Sequence, residues 1–365
     1  MEPALFSRHF LSTVIAGASL FIGVSSALAD QTSEDVVRKF LGLEIPGATG
    51  NMSSEGQTVT VSGLKVAIPK NGTQEWVSAG KIVFENVAVT GSEASIGALI
   101  ATGVAMTAPD STVQIGTLSA KAVGTRNLGK TPLTTDRIGD LVLSDVIYRQ
   151  AAGHLLKVQS YRTSYSVGTE GDLTGRIDVD GLAFGTLLDN AGTASTQSGR
   201  ISLVLAGNQK TGDLRVSDIG ISLPTMAEVT GSVELTGVDL TGRTLDLGQV
   251  LTVGRIRSAR LTYRDAGVVA QFLKILPASS RDTELRAALL QLAPLLGGKA
   301  GQLTDFVVAY TGNLAPLTIE ANPVQPVSIS ELIGGFKNAT DTLSGLRAKL
   351  SLDGSQVVVD ASAGH

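Results

Sequence analysis

Beyond residue 55 one arrangement of eight positions recurs along the chain: apolar, any, apolar, polar, turn-former, apolar, any, apolar. Six segments fit it: VTVSGLKV (Val59 to Val66), IVFENVAV (Ile82 to Val89), LVLSDVIY (Leu141 to Tyr148), IDVDGLAF (Ile177 to Phe184), LRVSDIGI (Leu214 to Ile221) and VELTGVDL (Val233 to Leu240). Weaker versions start near Leu118 and Ile256. Alternation within each half predicts a strand with one apolar side. Starting points at 59, 82, 118 and 141 lie 23, 36 and 23 residues apart, a partial regularity that points to internal duplication.

The polar doublet at the centre shifts side-chain parity, so strict alternation would turn the two halves of each unit to opposite faces. A β-bulge at Ser62-Gly63, Glu85-Asn86, Ser144-Asp145, Asp180-Gly181, Ser217-Asp218 and Thr236-Gly237 would restore the facing by setting two residues against one. A two-residue hairpin at the same doublets is the rival solution. Glu-Asn and Ser-Asp suit tight hairpins poorly, and stronger turn signals stand at Pro69-Lys70-Asn71-Gly72, Gly168-Thr169-Glu170-Gly171 and Asn208-Gln209-Lys210-Thr211-Gly212. Turns at both sets would strand Asp213 to Val216 as a fragment, so long bulged strands are the favoured reading. Their apolar flanks then share one side, and Val59, Val61, Leu64, Val66, Leu141, Leu143, Val146, Leu214, Val216, Ile219 and Ile221 form the candidate apolar face.

Helical signals flank this region. Thr32 and Asp35 have capping-box spacing ahead of Val36, Val37, Phe40 and Leu41, which predicts a short amphipathic helix. After Tyr263 the apolar period becomes helical, over Val268, Val269, Phe272, Leu273 and Leu276 and again over Leu285, Leu289, Leu290, Leu292 and Leu296. Strands are expected at Phe306 to Tyr310 and Leu317 to Glu320, a third helix from Glu331 to about Leu346, and a closing strand from Leu350 to Val359. The fold class expected is mainly β, of the α+β kind: a long curved antiparallel sheet of bulged strands, with a few packed helices mostly in the C-terminal quarter. It divides into a leader (1–29), a sheet region with a short N-terminal helix (30–263) and a mixed region packed on the sheet (264–365).

The first residues change the picture of compartment. Arg8 precedes an apolar run from Leu11 to Val24, and Ala27-Leu28-Ala29 ahead of Asp30 has the small-x-small form of a signal peptidase site. As a helix the run rises about 21 Å, short of a hydrocarbon core of about 30 Å. Cleavage between Ala29 and Asp30 and a periplasmic location are therefore expected, with no transmembrane span in the mature chain. Only 4% of residues are aromatic, too few for the girdles of a membrane β-barrel. Glycine, at 42 of 365 residues, stands above the roughly 7% of ordinary proteins and suits a turn-rich, bent sheet.

The repeated units, with RSARLTYRDAGVVAQFLKILP (Arg257 to Pro277) and LTIEANPVQPVSISEL (Leu317 to Leu332), resemble β-rich periplasmic proteins of the AsmA-like and related envelope families. The resemblance implies long curved sheets whose apolar inner face is associated with lipid handling at the bacterial envelope. It carries no functional residue over to this chain.

Candidate chemistry is sparse. The chain has no cysteine and three histidines, of which only His154 lies away from the ends, so thiolate sites are excluded and a histidine-rich metal site nearly so. Asp178, Asp180 and Gly181 resemble part of a calcium loop but lack its third carboxylate and distal glutamate. Asp145, Asp218 and Asp239, with Ser144 and Ser217, are better read as bend formers than as a catalytic array. His154 is the one imidazole base on offer, without a nucleophile-elbow motif. Arg255, Arg257, Arg260 and Arg264 form a basic stripe, expected to pair with acidic neighbouring strands or, as the lesser reading, to meet an anionic headgroup. Trp76 and five tyrosines offer little for a glycan platform. A net charge of −4 gives no footprint for nucleic acid. No catalytic, metal or cofactor site is expected; the partner is a lipid or another envelope component. The functional expectation is a non-enzymatic envelope protein binding or shielding an apolar ligand along the sheet. A structural or adhesive, solenoid-like β-scaffold is the alternative, and a hydrolase with an unrecognised site the third.

Overall fold

The computed structural model describes residues 32–41, 43, 47–70, 73–90, 93–125, 138–186, 198–240, 247–267, 269, 273–274, 279–280, 282–284, 286–287, 300–334, 346–353 and 358–360. They fall into two compact units, one within Met1–Ser166 and Gly175–Ser198, the other within Val167–Thr174, Gly199–Thr241 and Asp246–His365. The expected leader, with its cleavage point at Ala29 and Asp30, lies outside the described residues. No described helix is long and apolar enough to cross a membrane.

The first unit opens with helix α1 (Ser33–Phe40). The strands that follow are β1 (Thr49–Glu55), β2 (Thr58–Lys70), β3 (Thr73–Thr90), β4 (Glu93–Ala108), β5 (Ser111–Thr125), β6 (Asp140–Gln150), β7 (His154–Val167) and most of β8 (Asp172–Thr186). They lie in the order of the chain, and every adjoining pair from β1 to β7 is antiparallel. The mainly β, antiparallel expectation holds.

Buried positions on these strands do not simply alternate. On β3 they fall at Val77, Ala79, Ile82, Phe84 and Val87, and on β5 at Val113, Ile115, Leu118, Ala120 and Val123: spacings of two and three in turn. Each three-residue step coincides with a kink. The second residue of all six doublets has positive φ: Gly63, Asn86, Asp145, Gly181, Asp218 and Gly237 at +62°, +54°, +54°, +71°, +49° and +72°. Five of the doublets are bends within long strands, and no hairpin forms at them; Thr236-Gly237 instead ends β11, and Val238 to Leu240 do not continue the expected strand.

Between β2 and β7 the bends differ from the expected two-against-one bulge, because both strands of each pair slip phase at the same level and the register passes through intact. Val61 pairs with Ile82 and Leu64 with Ala79, so Gly63 faces Gly80. The same line continues through Gly103, Gly116, Asp145 and Gln159, with left-handed residues on alternate strands. A second line runs through Asn86, Gly97 and Ala122 to Gly139, with Asn86 and Ala122 left-handed. True register shifts occur where β1 meets β2, between Thr49 and Asn51, and on both sides of Ser217-Asp218. The pattern was also more widespread than six copies: LIATGVAM, Leu99 to Met106, fits it with Gly103 as its turn-former.

The second unit holds β9 (Gly199–Asn208), β10 (Asp213–Leu223), β11 (Ala227–Thr236), helix α2 (Leu247–Val253) and β12 (Arg255–Asp265). Beyond them come helix α3 (Ala300–Asn313), β13 (Leu317–Ala321), β14 (Val327–Ser328), helix α4 (Ile329–Gly334), β15 (Lys349–Leu352) and β16 (Val358–Asp360). Its strands are again in sequence order, except that β14 pairs with the end of β12 beside β13. The four described helices are not confined to the C-terminal quarter, since α1 opens the described chain and α2 precedes β12. The helices expected near 268–276 and 285–296 lie largely outside the described residues.

Three local expectations need correction. Phe306 to Tyr310 is the middle of α3, because Leu303, Phe306 and Tyr310 pack on Leu350 and Leu352, and that contact outweighs the β preference of the Phe-Val-Val run. The expected single closing strand is two, with Leu350 paired to Val359; Asp353-Gly354 is the turn signal that the longer reading passed over. The third helix starts at Ile329, two residues before the expected Glu331, with Ser328 Oγ accepting from the Glu331 amide; its expected course from 335 to 345 lies outside the described residues.

Candidate functional site

The phase slips turn the apolar flanks of β2 to β6 to one side, and the register sets those flanks in rows. Ile82, Ala101, Leu118 and Leu143 stand side by side across β3 to β6, as do Phe84, Leu99, Ala120 and Leu141 in the next row. Leu64 and Ala79 pair in the row across the kink. Alanine thus occupies one place per row and steps one strand at a time through Ala79, Ala101 and Ala120. With a larger side chain on either hand, these three form the floor of a diagonal trough.

Helix α1 lies along this face. Its capping box is complete: Thr32 Oγ1 accepts from the Asp35 amide at 3.3 Å, and the Asp35 carboxylate accepts from the Thr32 amide at 3.0 Å. The bond from the Thr32 amide and a second from the Thr32 hydroxyl, which donates to the same carboxylate at 2.8 Å, with Lys39 and Arg38 one turn on, hold the Asp35 carboxyl below its ordinary value. The inward side of the helix presents Val36, Val37, Phe40 and Leu41, all buried, and the Phe40 ring meets Phe84 edge to face at 5.9 Å.

Between Phe40 and the alanine floor lies a narrow cleft, partly open to solvent, with about 40 Å³ of room. All fifteen residues lining it are apolar, from Leu64 on β2 through Met106 on β4 to Leu141 on β6 and Ile138 just before it. No hydrogen-bonding or titratable side chain enters the lining. Only hydrocarbon would gain free energy there, at about 25 cal/mol per Å² of apolar surface removed from water.

The residues proposed from sequence for an apolar face are distributed between the two units. Val59, Val61, Leu64, Val66, Leu141, Leu143 and Val146 are all buried on the cleft side of the first unit, and Leu64 and Leu141 line the cleft itself. In the second unit Leu214 is buried, whereas Val216, Ile219 and Ile221 are half-buried. The alanine floor was not anticipated, because only the cross-strand register reveals that the three alanines adjoin.

The other candidates have mostly structural partners. Asp178 accepts two bonds from Arg176 on its own strand, at 2.6 and 2.9 Å. Asp145 and Asp218 are the left-handed residues of their bends. In the basic stripe of β12, Arg260 meets Glu320 at 3.1 Å and Arg257 meets Asp213 at 3.8 Å, so neighbouring strands supply acidic partners. Lys65 stands 4.4 Å from the centre of the Trp76 ring. His154 opens β7, and its side chain lies outside the described residues. Among the described residues no group of three or more acidic, histidine or cysteine side chains is placed to hold a metal ion.

No protein-family model and no curated protein matches this chain.

Proposed function

We propose that this chain is an exported, non-enzymatic envelope protein that shelters an apolar chain, such as the hydrocarbon tail of a lipid, in the cleft of its first unit. The observation that carries the reading is the lining itself: fifteen apolar side chains, a floor of alanines that leaves room along a diagonal, and no polar group. With nothing in the lining to bond a headgroup, the polar end of a bound lipid stays outside. The AsmA-like resemblance, the periplasmic location and cleavage after Ala29 belong to the same proposal and rest on sequence pattern.

Fluorescence titration with cis-parinaric acid tests it. The natural chain binds the probe, and Ala101→Phe and Ala120→Phe, which fill the trough, weaken binding at least tenfold while the chain still unfolds cooperatively. Overpacking of this kind costs about 1 to 3 kcal/mol. Failure of the natural chain to bind, or variants that bind as well as it does, would refute the reading. A second reading, a scaffold with a closed core, is favoured by the complete burial of Val59 and Leu143, both 0% exposed. It predicts no co-purifying lipid in native mass spectrometry and no effect of either variant beyond stability.

A further inference from the structure

The face opposite the apolar cleft carries a second concavity, of about 290 Å³, formed by β5, β6, β7 and β8. Ser119 and Lys121 reach it because they alternate with the buried Leu118 and Ala120 on β5. The other charged residues around it are Asp140, Arg162, Arg176 and Asp178.

Both guanidinium groups are steadied by their own strands. Arg176 gives Nε and Nη2 to Asp178, and Arg162 gives Nε to Ser160 Oγ at 3.3 Å. Residues two apart on a strand share a face, so each arginine is fixed by a neighbour on its own strand. The Nη atoms of Arg162 have no protein partner among the described residues. Arg149, Arg215, Arg257 and Arg260, by contrast, each reach Gln114, Glu234, Asp213 or Glu320 on another strand. Lys121 likewise has no ion-pair partner among the described residues, although Asp140 stands directly across the ladder from it.

With Arg176 neutralised by Asp178, the concavity presents two unneutralised cations and one carboxylate. A planar guanidinium beside a compact ammonium matches a tetrahedral oxyanion, the first by paired bonds and the second as a point charge. Asp140 disfavours a long polyanion, as does the chain's net charge of −4. We propose that this concavity binds a single phosphate group, free or as the monoester of a small alcohol or lipid, through Arg162 and Lys121, with Arg176 held alongside. The site faces away from the apolar cleft and stands or falls independently of it.

Calorimetric titration of the full chain with inorganic phosphate and with O-phosphoethanolamine, and flotation with phosphatidylcholine vesicles with and without phosphatidic acid, test the proposal. Binding of either soluble probe, or of the phosphatidic acid vesicles alone, supports it when Arg162→Gln and Lys121→Gln each weaken that binding at least tenfold and Lys157→Gln, on β7 outside the concavity, does not. The first pattern identifies a soluble phosphate and the second a lipid headgroup. Arg162→Lys, which keeps the charge and loses the fork, recovers only part of the affinity. No binding of any probe at about 1 mM, or binding indifferent to both Gln variants, overturns it. Both side chains are exposed, and unchanged melting temperatures establish that lost binding is not lost folding.

Discussion

Replacing Gly97 with alanine tests the account of the kinks most directly. A Cβ at Gly97 would stand 3.0 Å from the Cβ of Asn86 and 3.1 Å from its Nδ2, with the Glu85 carbonyl oxygen at 3.4 Å. Asn86 cannot swing away, because its φ of +54° points its Cβ at β4. Crowding of this sort costs about 1 to 3 kcal/mol. Asn86→Gly removes the obstructing atoms and places at φ +54° the residue that tolerates it best. The double variant Asn86→Gly, Gly97→Ala is therefore expected to regain most of what Gly97→Ala loses, with a coupling of about 1 to 2 kcal/mol. Urea unfolding of the natural chain, both single variants and the double variant measures it, at a constant dependence on denaturant. Gly63→Ala is the reference: its Cβ would meet nothing within 4 Å, so its cost is that of left-handed backbone alone, about 1 to 2 kcal/mol. Energies for the Asn86 and Gly97 changes that add to within about 0.3 kcal/mol would refute the reasoning.

Other expectations follow from burial and ionisation. Leu143→Ala, at a site with no exposure, should lose about 2 to 5 kcal/mol in denaturant titration, whereas Ile100→Ala, on the outer face and 40% exposed, should stay within about 0.5 kcal/mol of the parent. Thr32→Ala removes the hydroxyl half of the α1 cap and should cost about 0.5 to 2 kcal/mol. Because the folded Asp35 carboxyl is held below its unfolded value of 3.8, its contribution is present above that pH and fades as pH falls through the lower folded value; Asp35→Asn should flatten this acid limb of the stability profile. Burial pushes the Tyr165 hydroxyl up to about 12, so stability should fall as pH rises from about 10 towards that value, and Tyr165→Phe should lessen the fall. Tyrosinate absorbance in the alkaline range checks the ionisation directly.

The bends were legible in the sequence because left-handed backbone restricts residue choice. Glycine, asparagine and aspartate at positions 63, 86, 145, 181, 218 and 237 stand where the apolar alternation breaks, and all six have positive φ. Ala122, left-handed at +51°, carries none of that chemistry and shows only as a weak copy of the unit beginning at Leu118. The shared slip was not legible, since Gly97 and Gly116 are glycines on account of neighbours 11 and 29 residues away in sequence, which only the register identifies. The same limit hid the alanine trough and the phosphate-sized concavity, both assembled from residues on four or more elements. Helix α3 was misread for a different reason: its Phe-Val-Val run has strand preferences, and only its seat on β13 and β15 makes it helical.

One steric rule accounts for Gly97, Gly116, Gly139 and Gly181. A left-handed residue leans its Cβ towards one neighbouring strand: Asn86 towards Gly97, Ala122 towards Gly139, and Asp145 towards Gly116, with Cβ distances of 3.0, 3.0 and 3.1 Å for an added methyl. Gly181 would lean on Gln159, at 2.3 Å from its Cβ, had it a Cβ of its own. In each leaning pair one member is therefore glycine, and when the left-handed residue supplies it the facing strand is free to carry a full side chain. This explains why left-handed residues alternate strand by strand along each line, since every leaning residue needs a neighbour that does not lean back. It also ties the backbone to the proposed site. The slips bring Ala79 into the row of Leu64 and keep Ala101 and Ala120 on the same side, so the trough persists only while both lines of kinks remain in step.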